Sequence, residues 1–212
     1  MISIQSFTFG PFQENTYILY DETKECIIID PGCYDNKERL ELANYIDTNK
    51  LKPIKLINTH CHLDHVFGNK FIADKYQLQL EINKLDKPVL DAYLMSASLY
   101  GLNAEPSPQP SVFLNEGDII TFGNSTLDIL FTPGHSPGSI TFYNRDQKFM
   151  IAGDVLFYGS IGRTDLPAGD FKTLISSIKD KLFQLGDDFT VYNGHGPSTN
   201  IGFERMNNPF LT

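Results

Sequence analysis

Four side chains able to bind a metal fall within six positions of this sequence, in Asn58-Thr59-His60-Cys61-His62-Leu63-Asp64-His65. Imidazole and carboxylate are the usual protein donors to zinc and iron, so His-x-His-x-Asp-His behind an apolar run (Ile54, Leu56, Ile57) points to a metal loop rather than to isolated surface or core histidines. At a period of two, His60, His62 and Asp64 would share one side of an extended segment. His65 would break the alternation where the chain turns toward a helix opening near Asn69. Such a loop can feed two metals. Cys61 alternates away from the histidines and reads as packing.

Ligand-type residues recur beside glycine at the ends of three further apolar runs: Thr132-Pro133-Gly134-His135, Ala152-Gly153-Asp154 and Asn193-Gly194-His195-Gly196. Glycine allows close backbone approach and positive φ, which a tight metal loop needs. The chain has five histidines, and His60, His62, His65, His135 and His195 account for all of them. One such strand end would mean little; the full set implies a shared site.

The elements that must position these residues form a mixed α and β pattern. Thr16 to Tyr20 and Cys26 to Ile29 read as a hairpin about the turn 21–25, ended by Asp30-Pro31-Gly32. Asp30 is either a turn-making residue, the favoured reading, or a carboxylate orienting a ligand histidine. Leu42, Tyr45 and Ile46 recur at helical spacing within 35–49, Phe71 and Ile72 mark a short helix after Gly68, and Leu78, Leu80 and Ile82 alternate as a strand. Residues 83–101 read as one helix closed by Gly101 and followed by a proline-rich loop, either packed on the sheet or a lid over a pocket. If it is a lid, Tyr93 and Tyr100 are candidate substrate contacts. Strands are expected at 119–122, 126–131, 139–143 and 149–151, a late helix through Leu174, Ile178 and Leu182 that Gly186 stops, and a last strand at 190–192.

The 212 residues carry a net charge of -9, which argues against a surface that tracks phosphates and hence against nucleic acid as partner. No linker, repeat or low-complexity tract divides the chain, so one domain over 1–212 is expected. No stretch reads as a signal peptide or a membrane span, and three cysteines without paired spacing suit a reducing compartment, so a cytoplasmic protein is expected.

In Thr59 to His65, Thr132 to His135, Ala152-Gly153-Asp154 and Gly194-His195-Gly196, taken in order, the sequence resembles the metallo-β-lactamase superfamily, and within it the glyoxalase II-like (hydroxyacylglutathione hydrolase-like) hydrolases. The resemblance implies an α+β fold, an αββα sandwich of two mixed β-sheets flanked by helices, with the site at one edge. It implies two divalent metal ions, zinc first, with iron or manganese compatible with the same donors. By that resemblance His60, His62 and His135 hold one ion, Asp64, His65 and His195 hold the other, and Asp154 bridges them. It further implies a small-molecule thioester substrate cleaved by a metal-bridging hydroxide, with Asp64 and Asp154 tempering the charge of the catalytic centre.

Departures from the family pattern bear on the substrate. Lactamases of the superfamily typically carry Cys where this chain has Asp154. Glutathione-binding members carry Glu-Tyr after the last ligand histidine, where this chain has Gly196-Pro197, and a lysine in the loop that here reads Gly162-Arg163-Thr164-Asp165-Leu166-Pro167. They also have a C-terminal helical region for which the residues after His195 leave no room. A small thioester is therefore expected rather than a glutathione thioester. Arg163 either reads an anionic group on the substrate or pairs with Asp165 or Asp170 to pin its loop. Two rival functions remain: a mononuclear-iron persulfide dioxygenase, whose family shares Thr-His-Cys-His and Gly-Arg-Thr-Asp, and a metal-binding protein without catalysis.

Overall fold

The structure, a computed structural model, describes residues 1–212. Its first half forms a six-stranded sheet of β1 (Ser3–Phe9), β2 (Glu14–Tyr20), β3 (Glu25–Ile29), β4 (Lys52–Ile57), β5 (Leu80–Ile82) and β6 (Pro110–Phe113), ordered as numbered. The first two pairings are antiparallel and the remaining three parallel. The second half forms another six-stranded sheet from β7 (Ile119–Phe122), β8 (Ser125–Phe131), β9 (Ile140–Asn144), β10 (Phe149–Gly153), β13 (Thr190–Asn193) and β14 (Thr199–Asn200), in the order β14-β13-β10-β9-β8-β7. Only β10 and β13 pair in parallel there. A small ribbon, β11 (Leu156–Phe157) with β12 (Ser160–Ile161), follows β10.

Alternation along the strands sorts the core into three layers. In β3, Ile27 and Ile29 face the other sheet, where they meet Ile129, Phe142 and Ile151, while Cys26 and Ile28 face outward against Leu42, Ile46 and Ile72. In β10, Phe149 and Ile151 enter the inter-sheet layer, and Met150 and Ala152 pack outward on Leu174, Ile178 and Leu182. Burying each large apolar side chain contributes about 1.5–3 kcal/mol, so both faces of both sheets must be covered. Helices α1 (Asn36–Thr48), α2 (Leu63–Val66), α3 (Asn69–Tyr76), α4 (Lys87–Asp91) and α5 (Tyr93–Leu99) belong to the first half, and α6 (Phe171–Ser176) and α7 (Ile201–Asn207) to the second. The expected αββα sandwich of two mixed sheets is thus observed. No helix is long and apolar enough to cross a membrane.

Several elements differ from expectation. Strand β1 precedes the expected hairpin; its side chains are mostly exposed or half-buried, which weakens its alternation. The single helix over 83–101 is a tight turn at Lys84–Asp86, capped by the Asn83 side chain, followed by α4 and α5. Pro88 lacks the N–H that a helix interior needs, so it begins a new helix instead of sitting inside one. The late helix keeps its buried stripe, but α6 passes into a wider turn at Ser177–Lys181 and a tight one at Leu182–Gln184. The strand at 190–193 is not the last: β14 and α7 follow, and buried Glu204 on α7 accepts hydrogen bonds from Thr199 and Asn208.

Candidate metal centre

Loops leaving the C-terminal ends of β4, β8, β10 and β13 converge at one edge of the sandwich. The period-two expectation fails for Asp64. The chain is extended at His62 (φ -64°, ψ 155°) and then winds into the single turn α2, which carries Asp64 and His65 side by side. This turn splits the motif. Donor atoms of His60, His62 and His135 lie within 4.8 Å of one another, and so do those of Asp64, His65 and His195. Asp154 stands between the two triads. Its Oδ2 is 3.4 Å from Nε2 of both His135 and His195, and its Oδ1 is 3.3 Å from His65 Nε2. His195 Nε2 is also 3.1 Å from Asp64 Oδ2.

Hydrogen bonds behind the imidazoles fix which nitrogen faces the centre. His135 Nδ1 donates to the Arg163 carbonyl (2.7 Å), and His195 Nδ1 donates to the Phe12 carbonyl (3.1 Å). Thr59 Oγ1 donates to Asp30 Oδ2 at 2.5 Å, so it must accept from His60 Nδ1 at 3.1 Å. His65 Nδ1 donates to the same Asp30 oxygen, also at 3.1 Å. Four imidazoles therefore turn Nε2 inward, and His62 turns Nδ1, which lies 2.8 Å from His135 Nε2.

Asp30 is accordingly not merely a turn residue. It is buried with φ +50°, and it accepts as well from Thr59 N and Asn58 Nδ2, so it anchors two histidines at once. Its oxygens are thereby engaged, although it lies in ligand range of His60 and His65. Two further buried carboxylates escaped the sequence reading. Glu14, 3.8 Å from His65 Nδ1, is pushed well above the usual carboxylate range by burial. Asp86 accepts from Cys61 N, Ser136 Oγ and Gly138 N, tying the first ligand loop to the loop of His135.

The centre is packed so closely that it requires glycine. Gly153 has φ +53°, and a Cβ there would run into Thr59 Oγ1; a Cβ at Gly194 would run into Asp154 Oδ1.

Electrostatically the two triads differ. Burial, reinforced by neighbouring imidazoles, depresses the pKa of His60 well below the ordinary value and that of His62 to about 3. For His65 burial acts in the same direction, but Asp154, Asp64 and Asp30 outweigh it and raise the pKa well above the ordinary value. His195 is likewise raised against burial, to about 10, by Asp154 and Asp64. Nε2 of His60, Nε2 of His65 and Oδ1 of Asp154 are buried without a hydrogen-bond partner. Unpaired buried donors and acceptors are costly, and inward-facing imidazole and carboxylate atoms are what divalent cations bind, so the residues fit the ions.

A family model for the metallo-beta-lactamase superfamily matches residues 9–195. The chain belongs to the metallo-beta-lactamase superfamily. Among curated superfamily relatives it is 39% identical to the probable metallo-hydrolase YqgX of Bacillus subtilis, over 95% of this chain and 94% of that one. It is 38% identical to the hydroxyacylglutathione hydrolase GloC of Haemophilus influenzae, over 99% and 98%. Among solved structures it is similar to the BLEG-1 B3 metallo-beta-lactamase, with a TM-score of 0.91 and 34% identity over 99% of this chain and 100% of that one. It is also similar to TTHA1623 in a di-iron-bound form, with a TM-score of 0.88 and 37% identity over 98% and 100%. Membership in this superfamily, with relatives named as hydrolases, supports a metal-dependent hydrolase.

A cavity of about 350 Å³ opens onto the triads, lined by His62, Asp64, His135, Asp154 and His195 with Phe12 and Tyr100 at its rim. The Phe12 and Tyr100 rings meet edge to face at 5.4 Å. Tyr100 therefore lines the cavity. Tyr93 is 2% exposed and belongs to the core beneath α5, its ring reaching a neighbouring cavity but not this one. With Leu90 and Ala97 also buried, the segment is a packed wall, not a free lid. Arg163 reaches the cavity, but its Nε and Nη2 close on Asp165 at 2.7 and 2.6 Å.

Proposed function

We propose that this protein is a dinuclear metal-dependent hydrolase of the hydroxyacylglutathione hydrolase kind, cleaving a small thioester in the cytoplasm. One observation carries the reading: two donor triads meet at the shared carboxylate Asp154 on the floor of an open cavity. The likeness to GloC supports thioester chemistry. When bound, divalent ions supply Lewis acidity toward a carbonyl oxygen and bring the pKa of water toward about 7. The chain supplies the rest. His60, His62 and His135 are the proposed ligands at one position, Asp64, His65 and His195 at the other, with Asp154 common to both. Zinc is proposed first; iron is supported by the di-iron form of the similar structure. Asp64 and Asp154 lower the net positive charge, and the bonds from Asp30, Arg163 O and Phe12 O hold the imidazoles in place. Phe12 and Tyr100 supply an apolar part of the cavity lining.

The test is a metal analysis of the purified protein combined with a substrate panel under aerobic and anaerobic conditions. Oxygen-independent thioester cleavage, abolished by a chelator and restored by divalent metal at two ions per chain, is expected. Oxygen consumption on persulfides with one iron per chain would make the protein a dioxygenase. A β-lactam hydrolysed faster than any thioester would make it a lactamase.

A further inference from the structure

Beside the metal cavity lies a second one of about 440 Å³. The two share His62, Leu63, Tyr100 and Leu166 in their linings, so they lie side by side with only these side chains between them. The broken segment 87–100 forms one wall, with Val89, Ala92, Tyr93 and Ser96, and the 166–168 loop with Pro137 forms another. No lysine, arginine, aspartate or glutamate lines it, and its one imidazole, His62, is shared with the metal cavity. The metal cavity offers one side-chain cation besides its histidines, Arg163, and that guanidinium is closed on Asp165. Binding pockets of this size are mostly apolar, with a few polar groups that fix orientation, and these two cavities together meet that description.

We propose that the substrate is a thioester carrying an uncharged apolar arm, and that this arm lodges in the second cavity. The inference rests on the thioester reading and narrows it. A carrier bearing carboxylates, such as glutathione, would find no uncommitted cation at the rim, whereas an alkyl or aryl arm would be taken out of water against Val89, Tyr93 and Leu166. The same apolar chemistry could come from the acyl side or from the thiol side of the ester.

The test uses the metal-loaded protein and two matched series: acetyl, butyryl, hexanoyl and phenylacetyl thioesters of N-acetylcysteamine, and thioacetates of ethyl and hexyl thiol. Each buried methylene is worth about fourfold, so hexanoyl should exceed acetyl by more than tenfold in kcat/KM if the acyl arm enters. Hexyl thioacetate should exceed ethyl thioacetate by a similar factor if the thiol arm enters. Ser96→Phe, which fills the cavity from α5, should reduce the long-to-short ratio more than tenfold. Ala92→Leu serves the same purpose if Ser96→Phe does not fold. Calorimetric binding of the uncleavable S-hexyl and S-methyl thioethers of N-acetylcysteamine gives a readout independent of turnover. Tighter binding of the hexyl compound, lost in the filled variant, supports the cavity even if no thioester is cleaved; in that case the hydrolase reading fails and the pocket stands. Equal binding of hexyl and methyl compounds, or chain-length indifference in both series, overturns the proposal. So does a tenfold preference for S-hexanoylglutathione over its N-acetylcysteamine counterpart that Arg163→Ala abolishes, because the recognised group would then be a charge.

Discussion

His135 is held by Arg163 through the backbone: its Nδ1 donates to the Arg163 carbonyl at 2.7 Å, while the guanidinium turns away to Asp165. Position 163 therefore orients the His135 imidazole with an atom that every residue type possesses. Arg163→Ala should keep its metal content and nearly its melting temperature, since an exposed ion pair contributes little. Gly162→Ala should behave differently, because a Cβ there would run into the Asp154 carbonyl oxygen and displace that strand end. Metal analysis and thermal unfolding of the two variants check this; equal metal loss in both would contradict it.

Asp154 touches both triads, whereas His195 belongs to one. Asp154→Ala should therefore lower the bound metal toward zero and remove nearly all activity, while His195→Ala should retain about one ion per chain. Metal content after gel filtration distinguishes them, and equally mild losses would show that the carboxylate is not shared.

Metal uptake should release protons. The raised pKa values of His65 and His195 keep both protonated at pH 7.5 in the metal-free chain, and a ligand imidazole must be neutral. His60 and His62, both depressed, have no proton to lose at that pH. Calorimetry in buffers of different ionisation enthalpy should find at least two protons released per chain on full loading, with a further contribution from a metal-held water whose pKa falls toward about 7. Release should fall as pH rises toward 10, where His195 titrates.

Far from the centre, Asp21 joins the two sheets' outer turns, accepting from Thr23 and from Asn124 and Ser125. Burial pushes its carboxyl up, but these hydrogen bonds outweigh burial and hold it at about 2. A depressed pKa means that its contribution is complete above about pH 4 and is lost as the pH falls from there through 2. Asp21→Ala should cost roughly 1–3 kcal/mol at pH 7. The difference from the native protein in urea unfolding should shrink between pH 5 and pH 2; a pH-independent gap would show that the carboxylate's charge is irrelevant.

The candidate ligand loop was legible in the sequence because His60, His62, Asp64 and His65 are close along the chain and of uncommon types. The sandwich was legible through resemblance; the unbroken apolar runs Cys26 to Ile29 and Phe149 to Ile151 announce buried strands but not which layer each side chain enters. What stayed hidden depended on partners remote in sequence. Asp30 reads locally as a turn former, and only the fold brings Thr59 and His65 to its two oxygens. Asp86 resembles any acid in a helical stretch until Cys61, Ser136 and Gly138 surround it. Strand β1 was missed because an edge strand needs only one well-buried side. The break between α4 and α5 was missed because the apolar stripe continues through Ala92 although the backbone hydrogen bonding changes there.

The first sheet is complete by Phe113 and the second begins at Ile119, so between them the backbone crosses once, through residues 114–118. Each donor triad draws members from both sides of that crossing: His60 and His62 with His135, Asp64 and His65 with His195. A cation in either triad is thus a clasp between two half-chains, and neither half alone holds a complete set of donors. Binding free energy at the centre becomes docking free energy for the halves. A chain cut within 114–118 should accordingly hold together when loaded and separate far more readily under a chelator, so that metal supply governs its cohesion as well as its chemistry.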